Sequence, residues 1–146
     1  MIKMVNLIRV LSIVLFLGVL ALVYAYLPVM VRVLPQDQTM LIHREYFFYY
    51  AVGVFFVVNG FSWGLIKIID PLIELKRGEM ATAWFNMIAA VLNIYLALIL
   101  GFIGVLNNPQ HVSASGFSYL NYMGPILLII WMVGFFYLSV NKKSTT

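Results

Sequence analysis

The side chains best equipped for chemistry in this chain fall in three places. His43, Arg44 and Glu45 stand in a row ahead of Tyr46, Phe47, Phe48, Tyr49 and Tyr50. An imidazole, a guanidinium and a carboxylate beside such an aromatic run could hold a headgroup, a peptide or a quinone on the outer face. The same residues also read as an anchor, with the charges capping a helix and the rings fixing its depth. Glu45 near a helix N-terminus is favoured by the macrodipole as well, and the anchor is the preferred reading. The second place is the trio Asn59, Asn86 and Asn93, amides set in apolar surroundings. They could line a polar pathway or ligand site. With no charge at core depth, interhelical hydrogen bonds are the better account, each contributing about 0.5–1.5 kcal/mol. The third is the histidine pair, His43 and His111, which could meet across a bundle mouth and hold a metal or the edge of a haem. No His-x-x-Glu-His pattern supports them, so solvated loop histidines are expected.

Other chemistries find less to work with. Proton- or ion-coupled transport calls for an acid or base within a span, but Asp37, Glu45, Asp70, Glu74 and Glu79 are expected at or beyond the ends of the apolar stretches. The small four-helix multidrug exporters rely on an acid in the first span, and residues 10–31 have none. Ser12, Ser62, Ser118 and Ser139 have no histidine or lysine at matching depth to serve as a base, although Lys67 lies about one turn from Ser62. Cysteine is absent, and no glycine-rich phosphate loop appears. The expectation is a protein that is not an enzyme and takes no cofactor or metal.

The elements that position these groups follow from composition. Of 146 residues, 64% are hydrophobic and 10% charged, far from the roughly half and quarter of soluble domains. A soluble fold of this size could not hide so much apolar surface. Four uncharged stretches predict an all-α, polytopic membrane protein: four transmembrane helices in one antiparallel bundle, spanning about 8–31, 45–69, 80–106 and 117–140. Each covers a hydrocarbon core of roughly 30 Å at 1.5 Å per residue. The first stretch is too long for the apolar core of a signal peptide, so Ala21 and Ala25 are read as helix rather than as a cleavage site.

Of the nine Lys and Arg residues, seven (Lys3, Arg9, Lys67, Lys76, Arg77, Lys142 and Lys143) fall on one side and two (Arg32 and Arg44) on the other. The positive-inside rule then places both termini and residues 70–79 in the cytoplasm, with the protein in the plasma (inner) membrane. Tyr24, Tyr26, Tyr46, Tyr49, Tyr50, Tyr119 and Tyr122 gather at the outer boundary, and Trp63, Trp84 and Tyr137 at the inner one. The basic residues flank apolar segments, which fits lipid headgroups and argues against nucleic acid. Asp70 is a candidate N-cap, with Pro71 in the first turn and Gly78 closing a short interfacial helix; a tight hairpin is the equal alternative. The closing Ser-Thr-Thr reads as a frayed tail.

Small residues mark the faces meant to meet. On the third helix Asn86, Ala90, Asn93, Ala97, Gly101 and Gly104 occupy an arc of roughly 80°. The second carries Gly53, Val57, Gly60 and Gly64, with Asn59 roughly 100° away, so it is expected to meet one neighbour through glycine and another through an amide. Gly18, Ala21 and Ala25 form a shorter stripe on the first helix, and Pro125 after Gly124 predicts a kink in the fourth.

Leu34-Pro35, followed by Ile42-His43-Arg44-Glu45-Tyr46-Phe47-Phe48-Tyr49, resembles the outer segment of small bacterial four-span membrane proteins of unknown function. Immunity-type proteins of peptide-toxin systems are similar in placing Leu-Pro ahead of a histidine. Their Pro-Thr-His step is missing, and Met40-Leu41-Ile42 stands before His43 instead, so no functional residue is carried over. The leading expectation is a non-enzymatic subunit or accessory protein that packs with itself, as a homo-oligomer, or with a larger membrane complex. The alternatives are a small transporter or hydrophobe-binding protein using the asparagine-lined interior, and an outer-face sensor or immunity protein.

Overall fold

A computed structural model describes residues 2–34, 40–108 and 114–140. Pro35, Asp37, His111 and the Ser-Thr-Thr tail lie outside the described residues, and with them any approach of His43 to His111. The chain runs α1 (Ile2–Tyr26), β1 (Met30–Arg32), β2 (Leu41–His43), α2 (Arg44–Arg77), α3 (Glu79–Asn86), α4 (Ile88–Leu106), a 3-10 turn at Ala114–Phe117, and α5 (Tyr119–Val140). It is all-α apart from the two short strands. Four helical segments are long and apolar enough to cross a membrane, α3 and α4 together forming one of them.

Local chemistry sets the ends. The first helix stops at Tyr26 because Pro28 cannot follow in helical conformation, and Leu27 N–H closes it on Val23 O at 3.0 Å. The chain then extends, and β1 pairs antiparallel with β2, Val31 opposite Ile42. This hairpin was not expected; the alternation of β-branched residues through Val29, Val31 and Val33 favours it. Val31 is fully buried and, with Leu27 and Phe47, closes the hairpin end of the core around Phe16, Leu20, Phe55, Ala97, Leu100 and Ile103.

The second helix is longer than its apolar stretch. Rather than ending near residue 69, it runs through Asp70 and Pro71 to Arg77. Asp70 is therefore not an N-cap, and no separate interfacial helix forms. Gly78 alone makes the turn, at φ 89° and ψ 171°, a region that is essentially open only to glycine. Its N–H bonds to Glu74 O at 3.2 Å, and its carbonyl accepts from Thr82 N–H and Thr82 Oγ1 at the head of α3. The third apolar stretch breaks at Met87, whose N–H turns back to Trp84 O at 3.1 Å, a 3-10 step that separates α3 from α4.

Helix α4 is the hub, packing on α1, α5 and α2. Helix α5 packs on α3 and α4 and makes no comparable contact with α1 or α2, so it lies on the flank of the assembly. Two sockets and one reciprocal pair hold it. Trp84 Nε1 donates to Trp131 O at 2.8 Å, and Trp131 Nε1 donates to Trp84 O at 3.0 Å. The Trp84 ring lies where a side chain at Gly134 would be, and the Tyr95 ring does the same at Gly124. Below them Phe85, Trp131 and Phe135 pack with Ile66, Ile73 and Ala81 as a second cluster.

Valine at Gly124 or Gly134 is expected to push α5 off its sockets and lower stability by about 1–3 kcal/mol. Gly18, which has no neighbour at its Cβ position, is the control, and valine there should stay within about 0.5 kcal/mol. Thermal unfolding in mild detergent separates the cases; equal midpoints for all three variants would refute the socket account.

Candidate functional site

Three polar assemblies lie within or at the ends of the helices. The first joins α1, α2 and α4. Asn93 is 1% exposed and Ser12 3%, so burial of their polar atoms must be matched by hydrogen bonds. Asn59 Nδ2 donates to Asn93 Oδ1 at 2.8 Å and Asn93 Nδ2 returns a bond to Asn59 Oδ1 at 3.1 Å. Asn93 Nδ2 also reaches Ser12 Oγ at 3.2 Å, and Ser12 Oγ donates to Arg9 O at 2.7 Å. Asn59 Nδ2 is shared with Phe55 O at 2.9 Å. The second and third spans thus meet through paired amides, a pairing not specified from sequence, and Ser12 joins it. The signal for Ser12 is its place in the inward row of α1, with Val5, Phe16, Leu20 and Leu27 at helical spacings.

The second assembly lies at the opposite end of α2 from the hairpin. Asn86 does not join the other two amides; its Nδ2 donates to Asp70 Oδ2 at 2.9 Å. The remaining oxygens of this pair, Asp70 Oδ1 and Asn86 Oδ1, are buried and have no hydrogen-bond partner. Asp70 belongs to the inward row of α2, after Phe55, Asn59, Ser62 and Ile66 and before Ile73, at steps of three or four residues. Of these, Phe55, Ser62, Ile66 and Ile73 are buried.

The outer cluster is taken up by structure. His43 is the N-cap of α2, its Nδ1 accepting from Glu45 N–H at 3.4 Å, and its ring meets Tyr46 edge-on. Arg44 lies over the Tyr24 ring at 5.1 Å. Glu45 stands in the first turn of α2, where the helix dipole favours it. Asn107, which sequence reasoning passed over, pairs with the free edge of β1: Arg32 N–H donates to Asn107 Oδ1 at 2.7 Å and Asn107 Nδ2 donates to Arg32 O at 2.8 Å. One amide side chain stands in for a third strand and ties α4 to the hairpin.

The glycine stripes divide. A Cβ at Gly104 would stand 3.0 Å from Val23 Cγ2, whereas Gly53, Gly60, Gly64 and Gly101 have no neighbour within 4 Å of a Cβ position. The Gly53–Gly64 row is offset by two residues, roughly 200°, from the packed row of α2. It therefore faces outward, and the glycine contact expected for α2 is not made within the chain. Gly101 instead helps line a cleft of about 390 Å³ between α1 and α4. A second cleft, about 340 Å³, lies under the hairpin with an apolar wall including Phe16, Phe47, Leu96 and Leu100. Three methionines, Met4, Met80 and Met87, share a third at the end away from the hairpin. Asn59, Asn86 and Asn93 line none of these three. Among the described residues no three His, Asp or Glu side chains group to hold a metal ion.

Comparison with protein-family models, with curated proteins and with solved structures finds no match to this chain.

The geometry of the first assembly predicts non-additivity. Asn93→Leu strands the Asn59 amide and should cost about 1–2 kcal/mol. The double variant Asn59→Leu/Asn93→Leu, with both partners gone, should recover part of that loss. Unfolding midpoints of the four proteins in the cycle test this, and strict additivity would count against a coupled pair.

Proposed function

We propose that this chain is an integral membrane protein of four antiparallel spans in the plasma (inner) membrane, and that it acts as a non-enzymatic subunit or accessory protein. Its partner is a second copy or a larger membrane complex, met through the outward row of α2. One observation carries the reading: Gly53, Gly60 and Gly64 have no neighbour within 4 Å of a Cβ position, while the opposite row of the same helix is packed. Between helices in lipid the hydrophobic effect contributes little, and small residues allow the close backbone approach that makes association favourable. The polar interior supports packing over passage, because Asn59, Asn93 and Ser12 close upon one another. The cluster His43, Arg44 and Glu45 supports anchoring, because His43 caps α2, Arg44 lies over Tyr24 and Glu45 stands in the first helical turn.

The depth of insertion follows from two cation–π contacts on α2. Arg44 lies over Tyr24, and Lys67 over Trp63 at 5.0 Å. Twenty-three residues separate the two cations, roughly 35 Å of helix, a little more than one hydrocarbon core. The cytoplasmic termini rest on the charge asymmetry.

Native mass measurement in mild detergent is expected to find a defined oligomer or a stoichiometric partner. Gly60→Leu/Gly64→Leu should release it while leaving the thermal midpoint of the released chain within a few degrees. A wild-type chain that is monomeric and alone would overturn the reading. Reporter fusions at residue 146 should be active only when the reporter works in the cytoplasm.

A further inference from the structure

We propose that the Asp70–Asn86 pair is a binding site for an alkali cation, held by Asp70 Oδ1 and Asn86 Oδ1. The bond from Asn86 Nδ2 to Asp70 Oδ2 fixes the two side chains against each other. It leaves one carboxylate oxygen and one amide oxygen, both buried and both without a donor. Two acceptors enclosed together, one of them charged, are unfavourable until something positive joins them. The reciprocal bonds of Asn59 and Asn93 show what a completed pair looks like in this same chain. There, two N–H donors satisfy two oxygens; at Asp70 and Asn86 one of the two donors is missing.

The backbone around the pair favours a cation. Asn86 is the last residue of α3, where the span breaks at Met87 before resuming as α4. The C-terminal end of a helix carries partial negative charge on its carbonyls, and interrupted spans place such ends at cation sites. The pair lies seven residues before Arg77 and seven after Glu79, roughly 10 Å from the Gly78 turn, beside the apolar cluster of Ile66, Ile73 and Phe85. The donor set, oxygen only, suits a hard ion rather than a soft one.

Other ionisable groups on the packed elements at this end are Lys67, Glu74, Lys76 and Arg77 on α2, Glu79 on α3, and Lys3 and Arg9 on α1. Among the described residues, α4 and α5 carry only tyrosines. All of these are shared by wild type and Asp70→Asn, so a difference between the two proteins isolates Asp70. Asparagine at position 70 supplies the missing donor and can complete the reciprocal pair without a cation.

The experiment is thermal unfolding of the full chain in detergent at pH 8, with sodium chloride exchanged for choline chloride at constant ionic strength. Wild type is expected to rise by ~3 °C or more, saturably with sodium. Asp70→Asn should lose the response and remain near the saturated wild-type midpoint. Wild type indifferent to sodium, or Asp70→Asn responding as wild type does, would overturn the site. Neither result depends on the oligomer proposed above, which is read by mass.

Discussion

Asn93 is enclosed completely, and three helices meet on its amide. Its two bonds with Asn59 fix the height of α2 against α4, and the bond to Ser12 fixes α1 against both. Apolar contacts alone would tolerate a slide of one turn along any of these helices, since Leu, Ile and Phe pack against several registers. A buried amide does not tolerate it, because a shifted partner leaves polar atoms unpaired in an apolar surrounding. The outer and inner apolar clusters can then fill around a fixed register. The stacked rings of Phe16 and Phe55, 4.5 Å apart, lie one turn from Ser12 and Asn59 and take their alignment from them.

From that node the structure extends unevenly. Toward the hairpin, Asn107 fastens α4 to β1, and Val31 and Leu27 seal the core. Toward the Gly78 turn, the polar contact passes to Asp70 and Asn86, which are only half satisfied, and the chain compensates with aromatic rings. Trp84 and Trp131 exchange indole hydrogen bonds across α3 and α5. Helix α5 contributes no side chain to the Asn59–Asn93–Ser12 bonds and packs on α3 and α4 alone to any extent, so it is bounded by fewer neighbours than α4 and opening would begin there.

The four apolar helices were legible because uncharged runs of this length admit few other structures; that Asn59 pairs with Asn93 while Asn86 turns to Asp70 was not, because a lone amide in an apolar span does not name its partner. The length of α2 was not legible. Asp70-Pro71 is a common helix start, and a proline inside a helix removes a hydrogen bond; only the inward row from Phe55 to Ile73 says that the helix goes on. Reading that row would have moved Asp70 from a loop cap to the packed face and brought it to Asn86. The hairpin was hidden for a related reason. Three-residue strands are too short for a periodic signal, and the Asn107 side chain that completes them is 75 positions from Arg32 in sequence.

The glycines mark where local pattern stops being informative. Gly60 and Gly64 carry the small-xxx-small spacing that sequence reasoning trusts, yet they are open; Gly124 and Gly134 carry no such spacing with each other and are filled by rings. What separates them is the partner residue, Tyr95 or Trp84, whose helix must first be placed by contacts elsewhere. A glycine socket within one chain needs a large side chain brought to it by the fold, whereas a glycine row needs only another backbone. The row on α2 has the second property without having a backbone in place, on the face opposite the asparagine contact. Of the two faces of α2, only the asparagine face is packed among the described residues.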